Sequence, residues 1–243
     1  MLYIKKTQPS QELIDWLNIE KESGRLYPHY NSLQTSNSTA SSFKAYQSLR
    51  KQLHDEQRGL CCYCMKRVTT DNSNVEHFLP QSIFPENEVD YYNLYLACRY
   101  SHGKREEEQY CDIAKGNKLI GKYIGYVHTE KGVVTKCEDL LQYTEDGYVL
   151  PNKTGFKTLQ KFHQSYASLT SQEKELLATI AVLNLNCNSL VNDRVKFIAD
   201  TKAKIDSITD AERLNKMILF YKTEPIAFAG VALYFLQERL KTL

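Results

Sequence analysis

No stretch of the chain is apolar for long enough to cross a bilayer. The longest such run, Ile226 to Leu236, has 11 residues, against the roughly 20 that a spanning helix needs. The opening residues, Met1 to Ser10, lack the apolar centre of a secretory leader. These absences give the expectation of a cytoplasmic protein with no membrane partner. An excess of charge of one sign is missing too. Thirty-one basic and 29 acidic residues leave a net charge of +2. By segment the basic and acidic counts are 7 and 6 before residue 57, 9 and 9 over 57–122, and 15 and 14 afterwards. A broad polycationic surface is thereby excluded. A nucleic-acid substrate would need a divalent metal, local basic clusters or a partner to offset phosphate repulsion. The chain also shows no internal repeat and no P-loop. Its 243 residues, 42% hydrophobic and 25% charged, suit one large domain or a small module set in a larger helical body.

What is present is cysteine. There are seven, and in a reducing compartment clustered thiols favour metal over disulfides. Five of them lie in residues 60–122. Cys61-Cys62-Tyr63-Cys64 contains a Cys-x2-Cys knuckle, whose two thiolates can reach one tetrahedral ion from a tight turn. Cys98 and Cys111 complete the set, although His102, four residues after Cys98, is an alternative fourth ligand. Cys62, Cys137 and Cys187 read as small buried apolar residues.

Local patterns divide the rest. Ser10 is a candidate N-cap for a helix carrying Leu13, Trp16 and Leu17. Residues 31–42 read as a polar loop with nothing to bury. A longer helix follows, with Phe43, Tyr46, Leu49 and Leu53 on one face, ended by Gly59. Asp71 to Asn74 form a turn cluster between two candidate strands. Tyr126, Val133, Val134 and the segment Tyr143 to Leu150 suggest hairpins, with Asp146-Gly147 as a turn. From about residue 157 helical periodicity returns. Thr170 with Glu173, and Thr209 with Glu212, have the capping-box spacing. Leu176, Ile180 and Leu183 mark one helical face; Leu214, Met217, Ile218 and Tyr221 mark another.

Between the cysteine pairs lies Val75-Glu76-His77-Phe78-Leu79-Pro80. Neighbouring strand residues face opposite ways, so Glu76 and His77 can cooperate only around a bend or a strand edge. Asn93 follows, and then Asp112 at a candidate helix start with Lys115 one turn on. Phosphodiester hydrolysis needs a base, a cation to polarise the phosphate, and rigid placement of both. A neutral histidine suits the first role, and hard carboxylate oxygens hold Mg²⁺. An asparagine can brace the loop that aims the base.

With these motifs in this order, the chain resembles the HNH (ββα-metal) endonuclease superfamily. Glu76-His77 matches its first motif, Asn93 its middle one and Asp112 its third. The resemblance implies His77 as general base, Glu76 and Asp112 as ligands of a catalytic Mg²⁺ or Mn²⁺, and Asn93 as the brace of the base loop. It also implies a structural Zn²⁺ on Cys61, Cys64, Cys98 and Cys111, since the cysteine before the third motif is normally a zinc ligand. The chain departs from compact members by carrying 12 residues between Cys98 and Cys111. More narrowly it is similar to the PtuB-type HNH nucleases of Septu and related retron anti-phage systems. The residues that carry this likeness are Gly59 to Cys64, Val75 to Pro80, Asn93-Leu94, Cys111 to Asn117, Ile180 to Asn186 with Arg194, and Ile4 to Pro9. That likeness implies a PtuA-like ABC-type ATPase partner in a hetero-oligomer.

The expected architecture is α+β and mainly helical. A helical region, 1–56, precedes a zinc-stapled ββα module at 57–122. A hairpin and C-terminal helices, 123–243, follow, and Phe220, Tyr221, Phe228, Tyr234 and Phe235 are candidates for a docking face. The expected activity is endonucleolytic cleavage of nucleic acid, DNA before RNA such as tRNA. A zinc module that only binds nucleic acid or protein is the alternative.

Overall fold

Ser10 caps the first helix as its position suggests: its hydroxyl accepts the Leu13 N–H ahead of α1, Gln11–Glu22. The computed structural model describes residues 1–24, 27–34, 40–121, 126–128, 134–152, 159, 162 and 166–243. Tyr30–Gln34 form a short helix, α2, where a polar loop was expected. Leu33 supplies the reason, since it is 1% exposed and joins Tyr30 in the core. Residues 35–39 of that expected loop lie outside the described ones.

The long helix α3, Ala40–Glu56, buries Ser42, Ala45, Leu49 and Leu53. Phe43, expected on that face, is exposed. Small residues at positions 42 and 45 let α1 and α2 approach α3 closely, and Phe43 is turned away from them. The helix ends in a Schellman pattern. Gly59 N–H returns to His54 O and Arg58 N–H to Asp55 O, with Arg58 and Gly59 both left-handed.

β1, Ser73–His77, pairs antiparallel with β2, Leu94–Cys98, in the register His77 opposite Leu94 and Ser73 opposite Cys98. Ser73 and Asn74, expected in a turn, already belong to this strand. A four-residue helix, α4, Asp112–Lys115, lies against the ribbon. Two further hairpins follow: β3, Tyr126–His128, with β4, Val134–Lys136, and β5, Leu141–Tyr143, with β6, Val149–Pro151. Val133 lies outside the described residues. Gly147 makes the second hairpin's turn at φ +85°, a backbone region that only glycine enters freely.

Four helices complete the described chain: α5, Ser171–Val182; α6, Asn188–Ile205; α7, Ala211–Thr223; and α8, Ala229–Leu240. Thr170 and Glu173 form the expected capping box. At α7 the cap is Asp210, whose carboxylate accepts the Glu212 N–H, and not Thr209. Aspartate accepts this bond from the position adjoining the helix, so the threonine before it is not needed. The protein is thus a mainly helical α+β structure with small antiparallel hairpins. Among the described residues no helix is long and apolar enough to cross a membrane.

Two large apolar clusters organise the packing, and a third, small one gathers Leu150, Phe162 and Leu169. One lies beneath α1, α2 and α3. The larger runs through the cysteines, α5, α6, α7 and α8. β2 divides them: Leu94 and Leu96 enter the first cluster, while Tyr95 and Ala97 enter the second. Every residue of β2 is buried, which explains its unbroken apolar sequence. The expected docking aromatics are split. Tyr221 and Phe228 are buried, Tyr234 and Phe235 partly so, and Phe220 is exposed.

Polar side chains seam the C-terminal helices to the rest. Asn186 brackets β6 through the Val149 N–H and carbonyl, and Asn184 donates to the Glu107 and Gln109 carbonyls. The buried Arg194 guanidinium donates to Gly147 O and Leu185 O.

Candidate metal centre and adjoining cleft

The segment after α3 folds back on itself. Cys61 N–H donates to Lys66 O, Met65 N–H donates to Cys61 O, and Met65 takes a left-handed φ of 62°. This tight knuckle turns Cys61 and Cys64 to one side. Cys98 arrives at the end of β2, and Cys111 at the cap of α4 with its N–H on Leu183 O. The four sulfurs all lie within 4.8 Å of one another and are buried. Neighbouring pairs stand 3.7 Å (Cys61 and Cys111), 3.6 Å (Cys64 and Cys98) and 3.9 Å (Cys98 and Cys111) apart. A tetrahedron of Zn–S bonds of about 2.3 Å has edges of about 3.8 Å. The set therefore fits a closed zinc site.

The Cys98 N–H also points at Cys61 Sγ, at 3.4 Å, the kind of support a thiolate receives. Burial resists ionisation of Cys61, but hydrogen bonds from Cys111 and its other neighbours take it well below the usual thiol range. Burial and the same neighbours push Cys111 well above it. Four enclosed thiols cannot all lose their protons without a cation among them. The fourth member of the cluster is Cys111, and His102 stands outside it. Cys62, Cys137 and Cys187 are buried outside this group.

β1 and α4 face each other across two polar rungs. At the first, Asn74 Nδ2 donates to Asp112 Oδ2 at 2.9 Å, and His102 Nε2 stands 3.3 Å from Asp112 Oδ1. At the second, Glu76 Oε1 accepts from Tyr63 Oη at 2.7 Å and pairs with Lys115 Nζ at 2.8 Å. Lys115, only 1% exposed, also donates to His77 O. Burial raises the Glu76 carboxyl above its usual range, against the opposing pull of Lys115 and Tyr63; the Asp112 carboxylate adds to the rise.

His77 leaves the other face of β1. Its ring meets Tyr30 edge-on, centroids 4.8 Å apart, and its Nε2 lies 2.9 Å from Glu88 O. A carbonyl can only accept, so Nε2 carries the proton and Nδ1 keeps its lone pair. Burial lowers this histidine below its usual range, while the Glu88 carbonyl works against that shift. Glu88 is held in turn, its carboxylate accepting the Tyr30 N–H. Asn93 braces the intervening loop by accepting the Leu79 N–H and donating to Leu79 O and Asn87 O.

One cleft joins the two faces. Tyr30, Arg50, Asn74, His77, Gln81 and Asp112 line it. Residues of β1 line it and none of β2 does. Asn74 and His77, on opposite faces of β1, both line the cleft. Glu76 does not border the cleft. Among the described residues, the only group of three or more metal-ligating side chains within 4.8 Å of one another is the four cysteines. Glu76, His77 and Asp112, expected to converge on one cation, form no such group: Glu76 is paired with the buried Lys115 ammonium, and His77 packs against Tyr30 and the Glu88 carbonyl.

Several contributors went unnoticed in the sequence. Asn74 was legible, being two residues from Glu76 and on the same strand face. Tyr30, Arg50, Tyr63 and Glu88 were not, since only the tertiary fold brings them here. Chemically, the arrangement offers a buried four-cysteine set that fits zinc and, beside it, an oriented imidazole and a hydrogen-bonded carboxylate on a common opening. No family model matches the chain, and no curated protein matches it.

Proposed function

We propose that the chain is a metal-dependent HNH-type endonuclease, with a ββα module made of β1, β2 and α4. The observation that carries this reading is the cleft shared by His77 and Asp112, framed by a ribbon and helix that the four cysteines join. On this reading Zn²⁺ at Cys61, Cys64, Cys98 and Cys111 is structural, because four protein ligands leave no open position.

His77 Nδ1 takes the proton of the attacking water. The Glu88 carbonyl and the Tyr30 ring fix the imidazole's direction, and Asn93 holds the loop that carries that carbonyl. Asp112 and Glu76 would hold a divalent ion, Mg²⁺ or Mn²⁺, which would supply polarisation of the scissile phosphate and stabilisation of the departing 3′ oxygen. Lys115 keeps Glu76 in place and offsets its charge. Asp112 brings a hard carboxylate oxygen to the cleft, the ligand type such a cation takes. Arg50, in the wall of the same cleft, offers a phosphate its guanidinium.

DNA is the favoured substrate, and RNA is the alternative within the same chemistry, since such sites contact chiefly phosphate and sugar. The near-neutral charge fits activity within an assembly, for which an ABC-type ATPase of an anti-phage system is the proposed partner. A second reading, a zinc module that binds without cutting, draws on the pairing of Glu76 with Lys115.

The test is cleavage of DNA and of RNA by the chain, alone and with its neighbouring operon product, with Mg²⁺ or Mn²⁺ and with or without ATP. Cleavage that vanishes in a folded, zinc-loaded His77→Ala protein supports the nuclease. Cutting at the parental rate by that variant refutes it, and no cutting under any condition favours the binding module.

A further inference from the structure

The 12 residues between Cys98 and Cys111 form a built loop and not a loose excursion. Ser101, fully buried, closes its neck by donating to Tyr110 O and accepting the Tyr110 N–H. Asn184 pins its far side through the carbonyls of Glu107 and Gln109. Gly103, at φ +75°, turns the chain immediately after His102. The product of this bracing is the placement of one imidazole.

His102 Nε2 stands 3.3 Å from Asp112 Oδ1 and 3.4 Å from Asn74 Nδ2. The orientation of the Asn74 amide is set by its 2.9 Å bond to Asp112 Oδ2, so it presents N–H to the imidazole. Nε2 thus lies between a donor and an acceptor. A cation between Nε2 and Oδ1 satisfies both lone pairs. Two adjacent ligands of an octahedral ion, with bonds of about 2.1 Å, stand about 3.0 Å apart, close to the separation found here.

We propose that His102 is a nitrogen ligand, beside Asp112, of the divalent ion in the nuclease reading, on which this inference rests. An imidazole in place of a further oxygen moves preference from Mg²⁺ toward first-row transition ions. Mn²⁺ is the probe.

The full-length, zinc-loaded chain is titrated with Mn²⁺ by calorimetry, and the bound ion is examined by pulsed electron paramagnetic resonance. The parent shows a directly bonded histidine nitrogen. His102→Ala and His102→Gln lose that nitrogen signal and weaken Mn²⁺ about 10- to 100-fold. Mg²⁺ affinity changes far less, and zinc content and melting temperature stay at parental values. His102→Gln guards against loss of the loop. Retention of the nitrogen signal, or unchanged Mn²⁺ affinity, overturns the assignment. If the parent binds Mn²⁺ and cuts, and only Asp112→Asn weakens the ion, His102 is excluded while the nuclease stands. If the parent neither binds Mn²⁺ nor cuts, the nuclease reading falls as well.

Discussion

The Lys115 ammonium donates to the His77 carbonyl at 2.8 Å while pairing with Glu76 at the same distance. One buried cation on α4 therefore holds two consecutive residues of β1, one through its side chain and one through its backbone. Lys115→Met should remove both contacts and strand the Glu76 carboxylate, costing about 3–5 kcal/mol. The double variant with Glu76→Gln should recover part of that loss. Chemical denaturation of the four proteins measures the coupling; equal stability of Lys115→Met and the parent would show that the ammonium holds nothing.

The zinc staple predicts unequal cysteines. Cys64→Ser should lower bound zinc and soluble yield together, because ligation energy here is folding energy. Cys62→Ser, next to Cys61 but outside the sulfur group, should keep the metal. Elemental analysis of both proteins checks this, and full zinc in Cys64→Ser contradicts the ligand set.

His77 predicts a pH profile. As the proposed base it must be neutral, and burial takes its pKa below the usual histidine value of 6.5. As pH falls, the rate should hold through 6.5 and decline only below it. Tyr30→Ala, which opens the ring to water, should move the decline upward. His77→Ala should cost about 10²- to 10⁴-fold. A rate that halves at pH 7 or above contradicts the assignment.

Gly147 predicts a stability effect far from the cleft. A β-carbon there would meet Val191 O at 2.6 Å, in a backbone already at φ +85°. Gly147→Ala should cost about 1–3 kcal/mol and disturb Arg194, which donates to the Gly147 carbonyl. Thermal melting within a degree of the parent would contradict this.

The cysteine frame and most helices were legible because each rests on local signals. The Cys-x2-Cys spacing, the Ser10 and Thr170 caps and the periodicity around Leu176 and Leu214 all act within a few residues. The Asn93 brace was readable from its place in the motif order. The partners of His77 were not, since Tyr30 and Glu88 meet it only through the packing of α2 and the loop before β2. Helix α2 itself was hidden, because one leucine in a polar segment gives no period. Convergence of Glu76 with Asp112 was expected from motif order, which carries no information about Lys115. A buried ammonium one turn along α4 competes for the same carboxylate, and only packing reveals that it reaches.

β2 presents Leu94 and Leu96 to one set of helices and Tyr95 and Ala97 to another. Cutting the chain down to residues 57–122 would bare both sides of this strand and leave Cys98 on an unsupported end. The flanking helices are therefore walls of the four-cysteine unit and not carriers attached to it. Any fragment meant to keep the metal must retain α3 and the turn at Leu183 that receives the Cys111 amide.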